Sequence, residues 1–160
     1  MFRYQILIEY VGSSFIGWQV QAKGKTIQGL IQKKISKLLK EKIILFGSGR
    51  TDSGVHAIEQ SAHFESKKKI TKQYKFLKSI NHFLNNDGIS ITNIKKRNDN
   101  FHARFSARIR IYKYIIINRL SAPVIEKNRS WHVIKKLDLG LMRKGAVSYT
   151  HLTLPTKRIV

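Results

Sequence analysis

One carboxylate stands in a short stretch rich in glycine, Gly49–Ala57, which reads GRTDSGVHA. Asp52 lies between two apolar runs, and Arg50 precedes it by two residues. A guanidinium beside a carboxylate favours its ionised form, which is the form that nucleophilic attack requires. Gly47 and Gly54 allow close backbone approach and unusual torsion angles around it. Most Asp-Ser-Gly sequences are plain turns, so the residues alone leave open both a turn and a catalytic loop.

The overall charge of the chain indicates which class of partner it binds. The 160 residues include 31 Lys+Arg against 9 Asp+Glu, a formal net charge of +22. This balance favours a polyanionic partner, with nucleic acid ahead of an acidic membrane surface. A coding bias towards lysine, isoleucine and asparagine is the alternative explanation. There is no cysteine, so disulfides and thiolate metal sites are excluded. The N-terminus lacks the apolar core of a signal peptide, and we expect a cytoplasmic protein.

The hydrophobic patterns predict the elements that would position Asp52. Tyr4, Ile6, Ile8 and Tyr10 alternate along a strand, and Thr26 is a candidate helix N-cap. The resulting order is β-α-β-β-α-β, an α+β, ferredoxin-like or RRM-like domain with an antiparallel sheet, helices on one face and an open face for a ligand. The predicted strands are 3–10, 43–47, 57–65 and 89–96, and the predicted helices follow Thr26 and span 73–84.

We assign residues 1–104 to this domain and residues 105–146 to the start of a second α+β domain. The longest strand pattern, 108–117, falls in the second domain. Period two places Arg108, Arg110, Tyr112 and Tyr114 on one face, which suits phosphate contacts and base stacking. An exposed strand with tyrosines that favour β structure is the equally weighted alternative.

The end of the chain breaks its own pattern. Residues 138–146 read as the first turns of a helix, with Leu139 and Met142 facing inward. Residues 147–160 then turn to β-branched residues and a proline. We interpret 147–160 as a tail not native to the protein, and the chain as a truncated product.

Other chemistry finds little support in the sequence. His56 could be a general acid or base, although a structural histidine is the favoured interpretation. The six histidines show no metal-ligand spacing with carboxylates, so no metal site is proposed. There is neither a P-loop nor a dinucleotide fingerprint.

Four ordered blocks resemble the TruA family of tRNA pseudouridine synthases, and the resemblance covers residues 2 to about 146. The most specific block is the GRTDSGVHA stretch around Asp52, which resembles the family's catalytic motif. The others are GSSFIGWQVQ at 12–21 with TIQ at 26–28, FHARFSA at 101–107 with RIYKY at 110–114, and WHV at 131–133 with LDL at 137–139.

The resemblance implies a specific activity. The family converts uridines in the anticodon stem-loop of tRNA to pseudouridine, as a homodimer and with neither cofactor nor metal. Asp52 aligns with the nucleophile, Arg50 with the arginine that pairs with it and opens the RNA, and Tyr112 with the tyrosine that stacks on the target base. Whether Asp52 attacks the base or the sugar stays open. Further RNA contacts are predicted for Arg104, Arg108 and Arg110.

The sequence also departs from the family pattern. Val11 stands where an acidic residue is usual, and Ser53 replaces the commoner alanine. Family members continue well beyond residue 146 with the rest of the second domain and much of the dimer interface. We therefore expect little or no activity from this chain alone.

Two other functions remain as alternatives. A non-catalytic RRM-like RNA-binding module fits the element order and the charge, but the RNP-type signature is absent and the Gly49–Ala57 block is left unexplained. A metal-dependent nuclease or phosphotransfer enzyme would need more acidic residues than the chain offers.

Overall fold

The computed structural model describes residues 1–151, with side chains through residue 146. Its first unit contains the elements β1 (Phe2–Tyr10), α1 (Ile27–Leu39), β2 (Leu45–Gly47), β3 (Ala57–Ser66), α2 (Gln73–Leu84) and β4 (Ile89–Arg97). The four strands form an antiparallel sheet in the order β2-β3-β1-β4, and the two helices connect β1 to β2 and β3 to β4. This arrangement confirms the predicted α+β class and the β-α-β-β-α-β order.

The core lies between the sheet and the helices. Alternate residues of β1, Tyr4 to Tyr10, are all at most 2% exposed, as their period of two predicts. Helix α1 buries Ile27, Ile31 and Ile35, spaced four residues apart on one face, and α2 buries Phe76, Ile80 and Leu84 in the same way. Apolar burial on this face supplies the main stabilisation of the domain.

Helix α1 is fixed at its start and along its length. The Thr26 hydroxyl caps it by accepting a hydrogen bond from the Gly29 N–H at 3.3 Å. The Gln28 side chain donates to the Leu45 carbonyl, and the Gln32 side chain accepts from the Leu45 N–H. These bonds attach α1 to the strand that leads into the Asp52 region. None of the helices within residues 1–151 is long and apolar enough to cross a membrane.

The sheet face opposite the helices is not fully open, contrary to the sequence prediction. Residues 98–110, the covering segment, turn back over it after β4. The Arg3 guanidinium on β1 donates to the carbonyls of Asp99 and Phe101. On β3 the buried His63 Nδ1 accepts from the Ala103 N–H at 3.1 Å. The segment has no regular secondary structure, so no periodicity in its sequence could have placed it there.

The chain divides into two compact units, Met1–Arg110 and a second that begins at Ile111. Residues 105–110, which the sequence analysis assigned to the second domain, lie with the first unit. One reason is that the Arg110 guanidinium donates to the Ser48 carbonyl at 3.0 Å and to the Arg104 carbonyl at 3.1 Å.

The predicted strand over 108–117 is wrong for most of its length. Residues 107–115 have no regular secondary structure, and the strand β5 comprises only Ile116–Asn118. The alternating side chains are exposed on both predicted faces, with Ile111 at 88% and Tyr114 at 87%. A strand needs a neighbouring strand for its backbone hydrogen bonds. In the described chain residues 107–114 pair with no strand, and Ile115 accepts one bond, from the Trp131 N–H at 2.8 Å, just before β5 begins. The predicted row of arginines and tyrosines is therefore not formed.

In the second unit, β5 pairs in parallel with β6 (Trp131–Val133), and α3 spans Leu139–His151. Asp138 caps α3, because its Oδ1 accepts from the Leu141 N–H at 3.0 Å. Leu139 and Met142 were predicted to face inward but are 63% and 41% exposed, since no packed layer of the described chain covers them. Of the predicted non-native tail 147–160, residues 147–151 continue the helix, and 152–160 lie outside the described residues.

Candidate active site

Asp52 lies in the aspartate loop, residues 48–56, which connects β2 to β3. This loop packs along the first loop, residues 11–25, which connects β1 to α1. Hydrogen bonds hold the two loops together, because the aspartate loop has no regular secondary structure and the first loop has only one 3-10 turn, Gly12–Ser14. They run from the Trp18 N–H to the Thr51 carbonyl (2.9 Å), from the Gly54 N–H and the Ser53 hydroxyl to the Phe15 carbonyl (3.3 and 3.2 Å), and from the Gly12 N–H to His56 Nδ1 (3.2 Å).

Two glycines of the first loop make this contact possible. A Cβ on Gly12 would lie 1.9 Å from the Val55 carbonyl oxygen, which no side chain can tolerate. Gly17 has φ +111°, and a Cβ there would lie 2.7 Å from the Thr51 carbonyl oxygen. The backbones of the two loops are thus in direct contact on both sides of Asp52.

The base of the aspartate loop is attached to β3. The Ser48 N–H donates to the Ser61 carbonyl at 2.8 Å, and the Gln60 side chain donates to the Gly49 carbonyl at 2.8 Å. The Trp18 ring, 2% exposed, lies against Gly47 at the end of β2. The loop is therefore held at its base, while Asp52 stands at its exposed tip.

Asp52 and Arg50 are both exposed and do not form an ion pair in this structure. Among residues 1–146, whose side chains are described, the ion pairs are Arg3–Glu65 and Lys25–Asp87. The Asp52 carbonyl accepts from the Val55 N–H at 3.3 Å, which closes a turn and leaves the carboxylate directed to solvent. The turn and the catalytic interpretations of the motif are thus compatible, and the roles assigned to both residues stay predictions.

The arginines predicted to contact RNA lie in the covering segment. Arg104 and Arg108 are exposed, and Arg110 is bound to the start of the aspartate loop through Ser48. The structure therefore brings Arg110 to the loop that carries Asp52. Tyr112 belongs to the second unit, where it is 68% exposed. Its stacking role stays a prediction.

A buried imidazole fixes the covering segment. His63 is 2% exposed and stacks on Phe46 at 5.1 Å, with the His102 ring 4.6 Å away. Burial, together with smaller effects of the nearby His102 and Arg3, lowers the pKa of His63 to about 4, and Glu65 opposes this shift. The neutral ring keeps an unprotonated Nδ1 that can accept from Ala103.

His56 has a structural task in this arrangement, since its Nδ1 accepts from the first loop. Among the residues with described side chains, no three His, Asp or Glu groups come together to hold a metal ion. Sequence analysis missed Thr51, whose Oγ1 is hydrogen-bonded to the Tyr10 hydroxyl at 2.8 Å. A signal existed, because a buried tyrosine at the end of a strand needs a hydrogen-bond partner.

Comparisons with known proteins cover most of the chain, including the two loops. A family model described as tRNA pseudouridine synthase matches residues 6–106, which include both loops and most of the covering segment. A protein of Pelagibacter ubique named tRNA pseudouridine synthase A is 67% identical over 146 residues, 91% of this chain. One of the same name from Anaplasma phagocytophilum is 41% identical over 147 residues, 90% of this chain.

Because the family match covers more than half of its residues, the chain belongs to the tRNA pseudouridine synthase family. The chain spans 59% of the length of each of the two relatives. The sequence resemblance is therefore confirmed at the level of the family.

The close contact at Gly12 predicts that adding one methyl group there strongly destabilises the fold. Gly12→Ala should lower the free energy of unfolding by about 2 kcal/mol or more, because the backbone of one loop has to move. Gly49→Ala is the matched control in the aspartate loop, since the nearest atom to its Cβ is Arg110 Nε at 3.8 Å. It should change that free energy by less than about 1 kcal/mol. Urea unfolding measures both, and equal midpoints would contradict the close contact.

The pKa of His63 predicts a pH dependence of stability. Its folded value of about 4 lies below the ordinary 6.5, so the unfolded chain binds the proton first. The contribution of His63 is present above pH 6.5 and is lost as pH falls towards 4. Between pH 6.5 and 5 it should remove about 1.5 kcal/mol of unfolding free energy.

Urea titrations at these two pH values test the effect, because the carboxylates titrate mainly below this range. The loss of unfolding free energy between pH 6.5 and 5 should be smaller in His63→Phe by about 1.5 kcal/mol. It should be unchanged in His82→Gln, whose imidazole is exposed on α2. An identical pH dependence of His63→Phe and the parent chain would rule out this origin.

Proposed function

We propose that this chain provides the nucleophile-bearing domain of an enzyme that isomerises uridine to pseudouridine in the anticodon stem-loop of tRNA. One observation carries the proposal. In a chain of this family with a charge of +22, a single exposed carboxylate, Asp52, stands on a loop held on two sides. A preorganised nucleophile lowers the barrier because its orientation does not have to be found during the reaction.

The reaction needs no redox step and can proceed with neither cofactor nor metal. The target uridine first leaves its stack so that the carboxylate can reach it. Asp52 then forms a covalent adduct, and the bond between N1 and the sugar C1′ breaks. The base rotates and C5 bonds to C1′. The C5 hydrogen leaves as a proton, N1 gains a proton, and the bond to Asp52 breaks, which returns the free carboxylate. Arg50 assists by pairing with Asp52 and opening the RNA, and Tyr112 stacks on the target base.

The covering segment supplies the phosphate contacts in this proposal. Arg104 and Arg108 are exposed in it, and Arg110 lies against the start of the aspartate loop. A non-catalytic RRM-like module is less well supported, because the same segment lies over the sheet face on which such a module binds RNA. We further propose that the enzyme is cytoplasmic and that it acts as a homodimer.

The activity is tested by release of tritium from tRNA that carries 5-tritiated uridine, since forming the C5–C1′ bond displaces that hydrogen. Two proteins are compared: this chain, and an extended chain in which the remaining part of the Pelagibacter relative follows the aligned region. We expect release from the extended chain and little or none from this chain. No release from either protein would refute the synthase proposal.

The nucleophile is tested in the extended chain. Asp52→Asn keeps the size of the side chain but removes the negative charge, and we expect turnover to fall by at least about 10⁴-fold. Asp99→Asn is the matched control, an exposed aspartate of the same unit on the covering segment. Full turnover in Asp52→Asn would remove the nucleophile assignment.

RNA affinity should depend on salt through the arginines of the covering segment. The double variant Arg104→Gln, Arg108→Gln should reduce the slope of log affinity against log salt by about 0.8 per lost phosphate contact. Lys33→Gln with Lys37→Gln on α1 is the control and should leave the slope unchanged. Fluorescence anisotropy of a labelled anticodon stem-loop measures both slopes. Equal slopes in the two double variants would exclude these contacts.

A further inference from the structure

The position of Asp52 depends on its neighbour Thr51. The Thr51 carbonyl accepts from the Trp18 N–H at 2.9 Å, and its Oγ1 is hydrogen-bonded to the Tyr10 hydroxyl at 2.8 Å. Thr51 is thus held through both its backbone and its side chain. Asp52 itself is exposed, and its backbone is held from both sides: by Thr51 before it, and by the bonds of Ser53 and Gly54 to Phe15 after it.

Tyr10, which holds the Thr51 side chain, is itself fixed within the four-stranded sheet. It is the last residue of β1, 2% exposed, and pairs with Ala57 of β3 and Ile89 of β4. Its ring lies 6.1 Å from the ring of Trp18. The register of β1 against β3 shifts between Ile8 and Tyr10, and irregularities of this kind redirect the side chains that follow them.

The protonation and burial of the Tyr10 hydroxyl favour a stable hydrogen bond to Thr51. Burial raises the pKa of the Tyr10 phenol, and the bond to Thr51 opposes this less strongly, so the hydroxyl keeps its proton at neutral pH. A phenol buried beside an apolar core gains by keeping a partner, because an unpaired hydroxyl there is costly.

We propose that Tyr10 and Thr51 are positioning residues for the nucleophile, and that their hydroxyl–hydroxyl bond fixes the backbone from which Asp52 projects. The inference rests on the proposed function, since it assigns the pair a task in the attack by Asp52. Neither hydroxyl has to touch the RNA. A misplaced nucleophile lowers the rate of the chemical step more than it weakens substrate binding.

The chain offers a matched control in Tyr4. Tyr4 lies on the same strand and the same face, is 1% exposed, and uses its hydroxyl to accept from the Ile70 N–H at 2.7 Å, at the other end of β1. Tyr4→Phe and Tyr10→Phe each remove one buried hydroxyl and keep the ring. Only Tyr10→Phe removes a contact to the aspartate loop.

Two readouts separate positioning from general stability. Amide hydrogen exchange on this chain reports whether the backbone of residues 50–55 opens more often. Tritium release by the extended chain gives kcat and KM. We expect Tyr10→Phe and Thr51→Val each to raise the amide exchange rate of the loop about tenfold and to lower kcat about tenfold. KM should change by less than about twofold in both variants. Thr51→Ser keeps the hydroxyl and should stay within about twofold of the parent in both readouts. Tyr4→Phe should speed exchange near Ile70 alone and leave kcat unchanged.

Three results would overturn the proposal. Loop exchange in Tyr10→Phe equal to that of the parent would show that the bond does not hold the loop. A loss of kcat in Tyr4→Phe as large as in Tyr10→Phe would indicate a stability effect, and a higher KM with unchanged kcat would assign the pair to RNA binding. If the extended chain shows no turnover at all, the proposed function fails, and the exchange rates alone decide whether the two hydroxyls hold the loop.

Discussion

The direct contact between two backbones, at Gly12 and Val55, is the constraint on which the site depends. It requires β1 to end where β3 begins, so that the loops following β1 and β2 lie side by side. The antiparallel pairing of β1 with β3 provides this, and α1 secures the first loop, because its N-terminal amides donate to the carbonyls of Gly17 and Trp18. A side chain at position 12 would separate the loops and remove the support of the aspartate loop.

The electrostatic surroundings of Asp52 differ from those of the paired acids. Glu65 is bound to Arg3, whose hydrogen bond lowers the pKa of Glu65, and Asp87 is paired with Lys25. These acids stabilise the fold and have no free charge to offer. Asp52 instead combines an exposed carboxylate with a fixed backbone, in a protein whose net charge attracts polyanions. This combination is what the proposed attack of Asp52 on RNA requires.

The strands and helices that pack one side into the core of the four-stranded sheet could be predicted from sequence. For β1, α1 and α2 the periodicity predicts the observed elements, and the Thr26 cap agrees with the start of α1. The 108–117 alternation is just as regular, yet a strand also needs a neighbour, and a one-dimensional pattern contains no information about one. The same reason explains why Leu139 and Met142 are exposed. The Tyr10–Thr51 bond joins residues 41 apart, so the sequence could indicate that the Tyr10 hydroxyl needs a partner, but only the folded register identifies Thr51 as that partner.

The covering segment determines how a substrate could reach the site. In an RRM-like sheet, the face opposite the helices is the platform for RNA. Here the same face holds the protein's own chain, through Arg3, His63 and the contact between the tilted rings of Phe46 and His102. The segment then continues to Arg110, which contacts the start of the aspartate loop. Under the proposed function, RNA approaches Asp52 at the end of the sheet where the two loops meet, and the arginines of the covering segment are the proposed phosphate contacts.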